Sequence, residues 1–245
     1  MKKTLMAMIV LSSMTAVSAQ AATVLGFKVG GDFWNADASG TFAEKGQAQQ
    51  EFGYDSSSRY SLWLNLEHPI PFLPNLKIRE NHLEEDGSLS ADSMSFSGLT
   101  FNGDTNANID LGNTDFIGYY ELLDNDILSL DVGAAYKKFD GSFRVYQASK
   151  STTIELTKGV FMGYANAEVG VPGTGLFAYA DVLAGIDESS VYDYQVGLGW
   201  QFDGVALDTR IHAGYRNFKF DVDDFDGVTA NMKFDGVFAG VELVF

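Results

Sequence analysis

The chain has 245 residues, with 16 Lys+Arg against 33 Asp+Glu for a net charge of −17, 46% hydrophobic and 13% aromatic side chains, and no cysteine. That length suits a single domain. The aromatic content argues against disorder, and the missing thiols exclude a disulfide scaffold, a thiolate metal site or a cysteine nucleophile. So acidic a chain would repel a phosphate-rich partner, which makes nucleic acid a poor ligand. Its mean hydropathy of −0.03 alone resembles that of an ordinary soluble protein.

The chain opens with Lys2 and Lys3, an apolar stretch from Leu5 to Val17, and small residues reaching Ala19-Gln20-Ala21. This is the layout of a secretory signal peptide over residues 1–21, cleaved before Ala22, with cleavage after Ala19 as the alternative. The apolar run is shorter than the ~20 residues that a membrane-spanning helix needs. Processing removes two lysines and no acid, taking the charge from −17 to −19. Residues 22–245 form the mature domain, and no later apolar run is long enough for a second membrane helix.

From there the chain alternates. Tyr194, Val196, Leu198, Trp200 and Phe202 share one parity, opposite Gln195, Gly197, Gly199 and Gln201. Leu128 to Lys137, Arg59 to Glu67 (Trp63 apart), Leu207 to Arg216 and Gly236 to Phe245 repeat the pattern. Strand side chains alternate faces, so each stretch has one apolar and one polar or empty face. The spacing predicts ten strands, with eight as the alternative count, at about 23–35, 57–67, 75–84, 106–123, 127–139, 158–170, 175–186, 190–202, 205–220 and 229–245. Short joins rich in Pro, Asp, Asn and Gly, such as His68 to Pro74 and Asp203-Gly204, alternate with longer polar ones. The segments 85–105 and 140–157 read as outer loops, and so does Gly46 to Gly53. Met94-Ser95-Phe96-Ser97 alternates and offers a strand extension within the first of these.

Alternation alone fits any half-buried antiparallel sheet. Two features favour an apolar parity that faces lipid. The polar parity mixes charges with glycine, as in a narrow lumen, and aromatics close the apolar runs at Tyr60, Tyr136, Trp200, Phe202, Tyr215 and Phe245, as interfacial girdles do. A soluble calycin-like carrier would face the same parity inward. An even strand count with alternating short and long joins matches a bacterial up-and-down barrel, both termini lying on the side of the short periplasmic turns.

With the ending Val241-Glu242-Leu243-Val244-Phe245, the chain resembles a small Gram-negative outer-membrane β-barrel protein, of the uncharacterised kind. The resemblance implies an all-β transmembrane barrel in the outer membrane, surrounded by outer-membrane lipid and lipopolysaccharide. It also implies that the barrel assembly machinery reads the terminal Phe245. A monomer is expected, and no cofactor.

Charged residues of the polar parity include Lys28, Asp32, Arg59, Glu67, Lys77, Arg79, Asp115, Glu121, Asp131, Lys137, Glu168, Asp181, Asp193, Arg210, Arg216 and Glu242. Paired, they fill a small barrel; left open, they line a narrow porin-like channel for ions or small solutes. Of three histidines, His68 falls in a periplasmic turn and His212 on the lumen parity. His82, flanked by Glu80, Glu84 and Glu85 near the outer rim, is the one candidate base for an outer-membrane hydrolase. No G-x-S-x-G or H-E-x-x-H accompanies it, so no enzyme is expected. Asp221, Asp223, Asp224 and Asp226 are the candidate cation ligands, although the twelve-residue calcium spacing is absent and a solvated hairpin tip accounts for them. The expected role is structural or at the cell surface, with a charge-filled lumen.

Overall fold

The computed structural model describes residues 25–54, 57–70, 72–125 and 127–245. The signal-peptide reading falls outside the described residues. In chain order the strands are β1 (Gly26–Glu44), β2 (Gln50–Glu51), β3 (Gly53–Tyr54), β4 (Ser57–Glu67), β5 (Asn75–His82), β6 (Glu84–Phe96), β7 (Leu99–Asp110) and β8 (Asn113–Asp124). Then follow β9 (Leu128–Phe139), β10 (Gly141–Gln147), β11 (Lys150–Leu156), β12 (Gly159–Gly170), β13 (Leu176–Gly185), β14 (Tyr192–Phe202), β15 (Asp208–Phe225) and β16 (Val228–Val244).

Ten of them, β1, β4, β5, β8, β9, β12, β13, β14, β15 and β16, pair antiparallel with their successors, and β16 returns to β1. The closing seam runs from Lys28↔Val244 to Glu44↔Val228. Closure pairs every strand of the wall on both sides, the only way a sheet can cross hydrocarbon without unsatisfied backbone groups. The ten expected strands therefore match the wall, with three corrections. The stretch 106–123 is broken at Leu111–Gly112, leaving only β8 in the wall, and β1 and β15 run several residues further outward. The outer loops 85–105 and 140–157 are not loops: they fold as β6, β7, β10 and β11, which with β3 make a second, five-stranded sheet. Within 46–53, β2 and β3 flank Phe52, which is buried.

The wall is apolar outside and charged inside. Leu198, Phe161 and Val237 are 69%, 59% and 63% exposed, while Asp115, Lys137 and Asp193 are 0%, 0% and 1% exposed. This overturns the soluble-carrier alternative, which needs the opposite facing. Along the longest strands the polarity then inverts. On β15, Ile211, Ala213 and Tyr215 face out below, and Lys219 and Asp221 face out above. The inward residues change in the same sense, from Arg210, His212 and Arg216 to Phe218, Phe220 and Val222. β16 repeats this, with Val237, Ala239 and Val241 outside below and Thr229, Asn231 and Lys233 outside above. Val237 to Phe245 span about the 9–11 tilted residues that cross a bilayer core.

Aromatic side chains mark both edges of the apolar band. At the outer edge Tyr136 packs on Phe161, with ring centroids 4.9 Å apart, and the Tyr215 hydroxyl donates to Asp235. At the terminus end Trp200 stacks on Phe202 at 5.3 Å. Such amphipathic rings settle where hydrocarbon gives way to headgroups.

Candidate functional site

The interior has three tiers, each built from one parity of the wall strands. The middle tier is an ion lattice. Asn75, Lys77, Arg79 and Asn81 point inward from β5 because every second residue of a strand shares a face. The Arg79 guanidinium reaches Asp115 of β8 at 2.9 Å, Asp181 of β13 at 3.2 Å and Asp193 of β14 at 3.2 Å. Lys137 of β9 contacts Asp115 at 2.8 Å and Asp193 at 3.4 Å. Arg216 of β15 donates to Asp193 at 2.7 and 2.9 Å, and also to Ser61 at 2.7 Å and Asn81 at 2.8 Å. In a low-dielectric interior such charges persist only when paired and hydrogen-bonded. The carboxylate partners of the β5 residues each come from a different strand, so the ion pairs stitch the wall together across the lumen.

Above the lattice, Arg59 pairs with Glu85 and its guanidinium lies over the Phe234 ring at 4.9 Å. Then the interior becomes aromatic. Phe42 packs against Phe52 at 4.9 Å, Phe143 at 5.0 Å and Phe96 at 5.7 Å. Phe139, Phe220 and Phe225 form a second cluster at 4.9–5.6 Å. This tier joins rings of the wall strands β1, β9 and β15 to Phe96 and Phe143 of the second sheet, and its rings are fully or almost fully buried.

Below the lattice lies a vestibule of about 300 Å³, reaching Asp124, Ser129, Gln201 and Val244 at the end where β1 begins and β16 finishes. Its walls include Trp63, Tyr119, Tyr164 and Tyr179 among charged and amide groups. Lys28 pairs with Glu67 at 2.6 Å. Arg210 bridges Glu168 and Glu242 and lies 4.0 Å over the Phe177 ring. Trp63, the exception to the alternating pattern, points inward and donates to Glu242 at 2.8 Å. His212 contacts Asp32 at 2.6 Å, as expected of a bonded interior histidine. Gly240 makes room for that pair, since a Cβ there would stand 2.0 Å from Asp32 Oδ1.

The remaining sequence candidates lie outside the lumen. His82 faces out at the upper edge of the band, its ring stacked on Tyr60 at 5.0 Å and its Nε2 3.9 Å from Glu84. The four aspartates of the β15–β16 tip have separate partners. Asp221 pairs with Lys219 at 2.8 Å, Asp223 accepts from Thr229 at 2.8 Å, and Asp224 pairs with Lys45. Asp226 accepts the backbone N–H groups of Thr157 at 2.7 Å and Lys158 at 3.0 Å. Among the described residues no cluster of three or more potential ligands converges on a metal position. His68 accepts the Ile70 N–H at 3.3 Å in its turn. Sequence reasoning placed Asn65 and Gln195 on the polar parity but passed over Tyr164 and Tyr179. They share the parity of the lumen charges, and that was the signal that would have found them.

A closed meander, apolar outside and charged inside, with aromatic rings at both edges of the band, is the build of a small outer-membrane β-barrel. No protein-family model and no curated protein matches the chain. Among solved structures it is similar to a Pseudomonas aeruginosa FadL homologue at 9% identity and a TM-score of 0.37, covering 91% of this chain and 90% of that one. The Pseudomonas putida toluene transporter TodX gives 9% identity and 0.38, covering 93% of each chain. Ail, the attachment invasion locus protein of Yersinia pestis, gives 12% and 0.30, covering 90% of this chain and 98% of its own. Likeness at this level assigns neither substrate nor partner.

Proposed function

We propose that the chain is exported by cleavage of residues 1–21 and resides in a Gram-negative outer membrane as a monomeric, non-enzymatic and non-conducting barrel with a structural or surface role. The apolar band anchors it among outer-membrane lipid. The polar crown above the band meets lipopolysaccharide and surface partners, and Phe245 addresses the chain to the barrel assembly machinery. His82, stacked on Tyr60 at the band edge, is an interfacial anchor in this reading. One observation carries the proposal. The lumen is blocked twice, by a lattice whose Asp115 and Lys137 are 0% exposed and by the aromatic tier above it. Small barrels are filled by side chains, whereas aqueous channels belong to barrels of ~16 strands. Refolded protein in planar bilayers is expected to give no stable single-channel steps. Reproducible steps would defeat the proposal and favour the narrow-channel alternative, for which the vestibule would be the inner mouth.

A further inference from the structure

We infer that the turn joining β4 to β5, residues 68–74, is immersed in the inner leaflet of the bilayer, where Ile70, Phe72 and Leu73 complete the apolar band. Those three side chains are 55%, 92% and 53% exposed. In water they would form a bare apolar patch, whereas in lipid their burial adds to the anchoring. On β5 the outward face is apolar only at Leu76 and Ile78 before it turns to Glu80, while β14 presents Val196, Leu198, Trp200 and Phe202. A strand crosses the hydrocarbon with about 9–11 residues, so β5 alone stops short. The turn also lies on the outer side of the wall and not beneath the lumen. Its Phe72 carbonyl accepts from the Tyr120 hydroxyl at 3.0 Å, and a Cβ on Gly118 would stand 3.6 Å from Pro74. Gly118 and Tyr120 share the outward face of β8 with Phe116.

The stagger of the barrel sets the height of the turn. Followed from Phe27 across Leu66, Leu76 and Gly118 and on round the wall, the paired positions return to β1 at Ser39, twelve residues further out. Shared over ten strands, that shear drops the level by about one residue, relative to the paired position, at each step from strand to strand. Phe245 pairs with Phe27, and two further steps lead to Leu76. The level of Phe245 on the β5 side therefore falls about three or four residues before Leu76, at Leu73 and Phe72. This is the inner edge of the band, which Trp200, Phe202 and Phe245 mark elsewhere. The backbone of the turn suits that place. Pro69, Pro71 and Pro74 carry no N–H. The His68 N–H donates to Asn75 Oδ1 at 3.0 Å. The His68 ring accepts the Ile70 N–H at Nδ1, which leaves its proton on Nε2, 3.2 Å from the Pro74 carbonyl. Most donors of the turn are thus either missing or bonded, and little of it calls for water.

The chain has no cysteine, so single-cysteine variants of the mature barrel, nitroxide-labelled and refolded into phosphatidylcholine vesicles, test this by electron paramagnetic resonance. Oxygen concentrates in hydrocarbon and a nickel chelate stays in water, so the ratio of their collision rates with the label reads its depth. Leu198→Cys on the lipid face and Asn102→Cys on the crown give the two limits. The label at Phe72→Cys should show an oxygen-to-nickel ratio severalfold above that at Asn102→Cys. A ratio equal to that at Asn102→Cys would overturn the inference. So would low collision rates with both reagents, which would mean that a second copy or another protein covers the turn. The assignment rests on the membrane anchoring proposed above, and Leu198→Cys separates the two. A water-like ratio there would defeat the anchoring itself, whereas failure at Phe72→Cys alone would defeat only the role of the turn. Heat-modifiable mobility verifies that each variant is folded. Should Phe72→Cys not fold, Ile70→Cys reads the same turn and must give the same result.

Discussion

Arg79 holds the middle of the molecule because a planar guanidinium reaches three carboxylates at once. Replacing it by methionine keeps much of the volume and strands Asp115, Asp181 and Asp193 with fewer counter-charges. Breaking a buried pair from one side costs about 3–5 kcal/mol. Arg79→Met should therefore lower the urea unfolding stability of the lipid-reconstituted barrel by about that amount. Lysine there is expected to recover only part of it, since an ammonium cannot span the same three acceptors. On the outer rim, Asp226 occupies a left-handed turn position, φ 53°. Partial burial acts to raise its pKa, but the Thr157 and Lys158 backbone N–H groups and the Lys158 ammonium outweigh this and hold the carboxyl below its ordinary 3.8. A lowered folded value means that the contact is complete at neutral pH and lost only as pH falls through that lowered value. Amide exchange at Thr157 and Lys158 should stay protected down to pH 3.8 and lose protection below it, whereas Asp226→Ala should remove that protection at every pH.

At the scale of a strand, the same parity has opposite meanings above and below the band edge. Val241 and Asn231 lie on the outer face of β16, ten residues apart. Val241→Arg puts a charge near the middle of the hydrocarbon and should cost ~2–4 kcal/mol; Asn231→Arg faces water and should stay within about 0.5 kcal/mol. Paired unfolding titrations of the two variants in the same lipid measure the difference directly. The wall strands were legible in the sequence because each has a clean period of two, as in Tyr194 to Phe202. The second sheet was not. Its strands β6, β7, β10 and β11 carry Ser, Asp, Asn and Thr at outward positions, which locally resembles loop chemistry, while pairings such as Phe143↔Ile109 join residues far apart in sequence. The lumen charges were likewise visible by parity, but their partners were not: Arg216 and Ser61 meet across 155 residues. Periodicity assigns a face and says nothing of which inward residue stands opposite which.

The whole molecule has two interiors. One is ionic and lies within the band; the other is aromatic and lies within the crown. They depend on different forces, so one can be damaged with the other intact. Phe42→Ala leaves a void among Phe52, Phe96 and Phe143 and should cost about 3–5 kcal/mol locally. Limited proteolysis should then cut within the outer hairpins β6–β7 and β10–β11, while the heat-modifiable barrel band on gels persists. Cleavage spreading to the wall strands would show the two interiors to be one cooperative unit.

The inversion of polarity along β15 and β16 also makes the molecule its own depth gauge. Sinking by one pair of residues would bring Lys219 and Lys233 toward hydrocarbon, and rising by the same step would lift Val237 and Tyr215 into water. Neither direction is downhill, so in a thicker or thinner bilayer the lipid must adjust around the barrel. The crown is thereby held at a fixed height above the membrane surface.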